Sequence, residues 1–429
     1  MVKTFPLTKK YRHITIYTIL IHCLDKCLPT RYLHILSISS PENSCIIRRS
    51  IKEKRRNMKR IWKNAIAILI TAAALLLTSC QSAEYMGISK NNLDLTVSRD
   101  DFEIIPEDEY LETMKNIVEP TLDAMRYQGT MESNIDKHRI YYEFYDVENE
   151  KGTMVLFHGF TEFIEKYNVI IYYFTRNGWD VYMPEHYGHG WSGRSEETRE
   201  NLSKVVVEEF DIYVNDGFQL VDEVVNRNRD RNKPLVIYGH SMGGGISTAI
   251  LETFPGHFDA AILSSPMLEV NTGGTPKWLA KFFAGSARFF GAGENYVFGH
   301  GDFTTENFFG TDDCPATSYP RYQYGFEKRL EDEYKQMNGA TWYWLDSALE
   351  ATEKITSKEN AEKVVIPVLL FQAENDTLVK PEGQLKFASF AKNINVVFAE
   401  NAKHEIFNSP DDIAYAYWVT IFDFLDQVL

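Results

Sequence analysis

Residues 235–245 read L-V-I-Y-G-H-S-M-G-G-G, an apolar run that ends in G-H-S-M-G and passes into small residues. This pattern dictates a local topology. The run 235–238 predicts a buried strand, and the residues after Ser241 predict a helix packed close against it. Gly239 and Gly243 let the chain turn sharply between the two, with the serine at the apex. Such a turn lifts the Ser241 hydroxyl clear of the sheet, within reach of a base. The pentapeptide alone occurs by chance. The strand before it and the helix after it make Ser241 a candidate nucleophile.

The rest of the chain repeats the strand-then-helix rhythm. Residues 101–130 have helical spacing, with Tyr110, Met114, Ile117 and Val118 on one face. Strands are expected at 139–145, 153–158, 179–183, 260–264, 364–372 and 395–399, and helices at 168–177, 205–227 and 411–428. Apolar, β-branched runs separated by helices predict an α/β fold: a mostly parallel central sheet with helices on both faces. The interval of about 267–355 breaks the rhythm. It is crowded with aromatics, among them Phe282, Phe283, Phe289, Phe290, Trp342, Tyr343 and Trp344. It predicts a helical cap inserted between core strands and lying over the nucleophile. Some of its aromatics form a small core of their own, and the remainder suit an acyl chain, which binds by apolar area.

A serine nucleophile needs a base, and the base needs an orienting carboxylate. Asp376 lies past the strand at 364–372 in A-E-N-D-T-L-V, and His404 lies past the strand at 395–399 in N-A-K-H-E-I-F. Glu374 is the rival acid. His240 neighbours Ser241 and is expected to point away from it. His158, His186 and His189 lie on early loops, where they could shape the pocket or act as ligands, but they form no metal-ligand motif. Oxyanion stabilisation calls for backbone N–H donors. Met242, next after the nucleophile, and Phe160, after His158-Gly159, are the candidates.

The N-terminal part reads differently. Residues 1–57 are basic and patternless, and they precede a good start at Met58, so a start called too early is expected there. Residues 58–80 carry a basic start, an apolar run at 65–77 too short for a comfortable span, and Leu77-Thr78-Ser79-Cys80. That quartet resembles the lipobox of bacterial lipoproteins, with Cys80 as the acylated residue; a short membrane anchor is the alternative. Residues 81–100 are polar and expected to be a tether, which leaves 101–429 as the folded domain. The expected location is the bacterial cell envelope, with a lipid-anchored lipoprotein at the outer membrane or the periplasmic face. After position 80 the chain keeps 30 of its 45 Lys/Arg and 57 of its 60 Asp/Glu, a net charge near −27. That charge argues against nucleic acid and against flat adhesion to anionic lipid, so membrane proximity would come through Cys80. Cys314 is then the one other cysteine and is expected to be a quiet structural thiol.

Together these segments resemble the bacterial lysophospholipase and monoacylglycerol lipase family of α/β-hydrolases, the serine aminopeptidase S33-like or Hydrolase_4 group. H-G-F-T-E-F-I-E-K-Y, E-H-Y-G-H-G-W-S-G, G-H-S-M-G-G, Q-A-E-N-D-T-L-V and K-H-E-I-F-N-S-P carry the likeness, which runs from about Arg139 to the C-terminus. Glu185 departs from the family's usual Asp. The segment G-A-T-W-Y-W-L-D-S-A-L favours the lysophospholipase branch. The resemblance implies an α/β-hydrolase fold and hydrolysis of a lipid ester through an acyl-serine. It gives Ser241 as nucleophile, His404 as base and Asp376 as its orienting acid, and it implies no metal and no organic cofactor. The alternatives are a monoacylglycerol lipase, a general esterase or peptidase of the same fold, and a surface binding protein that has lost catalysis.

Overall fold

In the central strands, alternate residues are buried on opposite sides of one sheet. Val155 and Phe157 join one apolar cluster while Met154 and Leu156 join the other; Leu235 and Ile237 separate from Val236 and Tyr238 in the same way. A period of two with both faces buried is what a sheet covered by helices on both sides requires. The computed structural model describes residues 88–429. The expected early start, the signal segment and Cys80 lie outside the described residues.

The sheet has nine strands. They are β1 (Lys90–Asn92), β2 (Arg126–Glu132), β3 (Arg139–Tyr145), β4 (Gly152–Phe157), β5 (Trp179–Pro184), β7 (Leu235–His240), β8 (Ala260–Ser264), β10 (Val368–Ala373) and β11 (Ile394–Ala399). Their spatial order is β1-β11-β10-β8-β7-β4-β5-β3-β2. Pairings from β1 to β5 along this order are parallel, and β3 alone is reversed, antiparallel to both β5 and the edge strand β2. Two-residue strands β6 (Lys204–Val205) and β9 (Gly339–Ala340) pair with each other outside this sheet.

One face carries the N-terminal helical stretch α1 (110–125), helix α2 (Asn168–Arg176) and helix α9 (Asp411–Val428). The other carries α3 (Asp211–Leu220), α4 (Met242–Thr253) and α8 (Pro381–Ala388). Between β8 and β10 the chain inserts α5 (Lys277–Phe289), α6 (Tyr319–Leu330) and α7 (Trp342–Ile355). Helix α7 packs against both α5 and α4, so the insertion rests on the helix that begins at Ser241. Among the described residues, no helix is long and apolar enough to cross a membrane.

Three expectations are corrected. The tether over 81–100 does not hold for its second half, because Lys90–Asn92 pairs in register with 396–398 as the outermost strand. The helix over 101–130 is confined to 110–125, and Arg126–Glu132 is a strand on β3. The helix expected from 205 begins at Asp211, since 204–205 belong to β6. In each case the strand is short or at an edge, so no run of alternating apolar and polar residues announces it.

The chain leaves β4 to one side toward β5 and returns through β7 to build the other side. The carboxyl ends of β4 and β7 therefore flank the point where the strand order reverses. An open α/β sheet has its natural crevice there.

Candidate active site

Ser241 links β7 to α4 with φ 54° and ψ −120°, a conformation that a non-glycine residue adopts only at a cost of about 1–3 kcal/mol. The strain falls on the serine itself. The flanking glycines serve another end, because neither has a positive φ. A Cβ on Gly239 would come within 2.5 Å of the Gly243 carbonyl oxygen, and one on Gly243 would lie 2.0 Å from that of Phe157. They are glycines because the helix starts hard against β4 and β7. The Ser241 backbone is fixed on both sides: its N–H donates to Ser264 (3.1 Å) and its carbonyl accepts from Met267 (2.7 Å).

Beyond β10, Asp376 receives the N–H groups of Leu378 (2.9 Å) and Val379 (3.0 Å) on Oδ1 and meets His404 Nδ1 at 2.7 Å on Oδ2. Glu374 is used otherwise: its carboxylate accepts from the N–H of Asn401 at 2.8 Å. Burial opposes the charge of Asp376, but His404 and the two N–H donors outweigh it and hold the carboxyl below its ordinary value. Burial likewise disfavours charge on His404, and the Asp376 carboxylate reverses this, raising the imidazole above its ordinary 6.5. Nδ1 is committed to Asp376, which leaves the other nitrogen open. His404 Nε2 is buried and makes no hydrogen bond among the described residues. The His404 ring lies 4.8 Å from the ring of His240, which directly precedes Ser241.

On the other flank of Ser241 is the loop after β4. A Cβ on Gly159 would sit 3.2 Å from the Cβ of Ser241. In this loop nearly every N–H is consumed. That of Gly159 goes to Glu162 Oε2 (2.6 Å) and Tyr167 Oη (3.1 Å), that of Thr161 to His189 Nε2 (3.1 Å), and that of Glu162 back to the Gly159 carbonyl (3.3 Å). Among the described residues, Phe160 N–H has no such acceptor, and neither does Met242 N–H at the first turn of α4, outside its own helix. A free donor between fixed neighbours is what an oxyanion site needs. The Phe160 ring is itself held by Trp344 of α7, at a centroid distance of 4.0 Å.

The early histidines form the floor of this loop. His158 Nε2 accepts the His186 N–H, so its Nδ1–H donates to the Gly159 carbonyl at 2.8 Å. His186 donates through Nε2 to the His158 carbonyl, and His189 through Nδ1 to that of Tyr187. Burial is the main cause that pushes all three well down, His158 to about 4. They are neutral posts: both ring nitrogens of His158 and of His189 are occupied, as is Nε2 of His186. Glu185 is equally buried, and burial lifts its carboxyl to about 8 while the Trp191 N–H donates to it. Cys314 is a buried free thiol.

The sequence did not reveal a buried ionic bridge beneath the site. Lys166 Nζ lies 2.5 Å from both Glu162 Oε1 and Glu405 Oε1. Asn408 donates to the second oxygen of Glu405 at 2.7 Å, and Arg329 of α6 donates to the Thr161 carbonyl at 2.8 Å. Lys166 and Glu405 are 239 positions apart, so no local pattern could pair them.

Residues 148–411 match the Hydrolase_4 family, described as serine aminopeptidase S33. The chain belongs to this family. A probable lysophospholipase L2 of Haemophilus influenzae is 26% identical over 61% of this chain and 79% of its own length. A monoacylglycerol lipase of Mycolicibacterium smegmatis is 32% identical over 33% of this chain and 48% of its own. Among solved structures, a soluble variant of monoglyceride lipase from Saccharomyces cerevisiae has a TM-score of 0.56 at 19% identity, covering 71% of this chain and 96% of that one. A thermostable carboxyl esterase from Bacillus coagulans has a TM-score of 0.58 at 18% identity, with coverage of 71% and 99%. These two likenesses show the fold, which is that of the α/β-hydrolases.

Proposed function

We propose that this chain is a serine esterase that releases fatty acid from a single-chain lipid, with lysophospholipid as the preferred class and monoacylglycerol as the alternative. The observation that carries the reading is the His404–Asp376 contact, with the His404 ring against His240, the residue before a serine held in a strained strand-to-helix turn. His404 Nε2 takes the Ser241 proton as the hydroxyl attacks the ester carbonyl. The tetrahedral oxyanion is received by the N–H groups of Phe160 and Met242. Its collapse expels the glycerol-type alcohol, which takes the proton back from His404 and leaves an acyl-serine. Water, deprotonated by the same nitrogen, then frees the fatty acid and restores Ser241. Asp376 keeps the proton of neutral His404 on Nδ1 and stabilises the transient imidazolium. No step calls for a metal or an organic cofactor.

The lysophospholipid preference is supported by the Haemophilus relative, which aligns over a longer stretch than the monoacylglycerol lipase from Mycolicibacterium. We further propose that the chain is a lipoprotein of the bacterial envelope, acylated at Cys80, on the strength of the basic, apolar and Leu-Thr-Ser-Cys segments in sequence. Metabolic labelling with a fatty acid, lost in Cys80→Ser, tests that part.

The function is tested by fatty-acid release from lysophosphatidylcholine and from monoacylglycerol, with Ser241→Ala as control. Release from the first alone supports the preferred class, and release mainly from the second moves the substrate and keeps the chemistry. No release from either, with no covalent modification of Ser241, favours a binding protein that keeps the fold.

A further inference from the structure

Two loops that must act together are separate in the chain. One carries Gly159 and Phe160 and the other carries His404. The structure joins them through a buried cation: the Lys166 ammonium sits 2.5 Å from Glu162 and 2.5 Å from Glu405. Glu162 in turn holds the Gly159 N–H (2.6 Å) and the Tyr167 hydroxyl (2.5 Å), and Glu405 is the residue next to His404. All three charged side chains are largely buried, at 13%, 7% and 3% exposure.

We propose that Lys166 and Glu405 are positioning residues, whose ion pair fixes the oxyanion donor at Phe160 and the base at His404 in one geometry. This rests on the serine-esterase reading above and adds to it a part that neither the triad nor the oxyanion donors supply. Two features favour it over a merely structural role. First, Phe160 N–H lies between anchored neighbours, and the anchor on its Gly159 side is the carboxylate that Lys166 holds. Second, the bridge stands in the electrostatic field of the base. The groups facing His404 are Asp376 from the loop after β10, Glu405 from its own loop, Glu162 from the loop after β4, and His240 from β7. Lys166 is the cation in direct contact with two of those carboxylates, and Arg329 of α6 is a second buried cation in the field of both. Changing the bridge must therefore change both the geometry and the proton affinity of the base.

The test uses purified full-length protein with a soluble short-chain ester, comparing wild type, Glu405→Gln, Lys166→Arg and Lys166→Met. Glu405→Gln is the principal variant because it leaves the buried Lys166–Glu162 pair intact. Its kcat is expected to fall about tenfold or more, as small misplacements at a reacting centre do, with KM within about twofold. Its acid limb is expected to move to lower pH, since a negative charge beside His404 is gone. Lys166→Met, which unmasks both carboxylates, is expected to move the limb to higher pH. Lys166→Arg is expected to restore most of kcat. A near-native thermal midpoint for Glu405→Gln shows that folding is not the cause. A folded Glu405→Gln with native kcat and an unmoved pH profile would overturn the proposal. So would a loss confined to KM. Inactive wild type in the same assay would instead overturn the esterase reading beneath it.

Discussion

The loops beneath Ser241 and the outer face of the insertion are built on opposite principles. Beneath the serine, polar groups are buried and paired: neutral histidines with assigned protons, a lysine between two glutamates, and backbone N–H groups taken one by one. On the insertion the large side chains face out. Trp278 is 61% exposed, Phe282 64% and Phe289 83%, and Phe290 and Phe298 follow them. The inner side of the same insertion is different again, because Trp344 is buried against Phe160. A reaction that develops charge needs donors fixed beforehand, which the floor supplies. Binding an acyl chain needs apolar area without fixed partners, which aromatics supply. The contrast is one of construction: the floor holds polar groups in place, and the insertion leaves large apolar rings exposed.

Substitutions that break this division should differ in kind. The largest effect is expected at the base. His404→Ala should lower kcat by about 10⁴-fold or more with folding intact, measured on a soluble ester, since members of such a unit fail together. The same base sets the pH dependence. Asp376 raises the proton affinity of His404 above the ordinary 6.5, and catalysis needs the neutral ring. Activity should therefore fall as pH drops through a value above 6.5, and Asp376→Asn should lower that value as well as kcat.

Trp344→Ala should come next. It removes a buried indole and the prop under Phe160, and is expected to cost about 3–5 kcal/mol in denaturant unfolding, with reduced kcat in whatever remains folded. Gly243→Ala should cost about 3 kcal/mol, because its methyl group meets the Phe157 carbonyl rather than a side chain that can move. The smallest effect is expected at the exposed ring of Phe289. Phe289→Ser should change stability by no more than about 0.5 kcal/mol, read by chemical denaturation. A large loss there would show that the outer aromatics are structural, and the contrast would collapse.

Much of this was legible in the sequence, for a physical reason. Ser241, Asp376 and His404 each follow an apolar strand, and a strand buried on both faces is written in consecutive apolar residues. The turn at Ser241 was legible because it needs glycines, although their role is close approach rather than a left-handed backbone. Strand β1 was not legible. Its Lys-Asn-Asn side chains are all exposed, and backbone pairing to β11 leaves no mark on composition. Strand β2 was hidden in the same way, with its exposed and half-buried residues mimicking the end of a helix. The Lys166 bridge was invisible because charge pairs form across the fold, and only the folded chain brings 166 to 405.

The central claim is that Ser241 is a nucleophile activated by His404. A serine-reactive phosphonate followed by mass mapping tests it without any choice of substrate. One phosphonyl group per chain on the peptide containing Ser241, absent in Ser241→Ala and strongly slowed in His404→Ala, is the expected result. No adduct at Ser241 in folded wild-type protein, or labelling as fast in His404→Ala as in wild type, would contradict it.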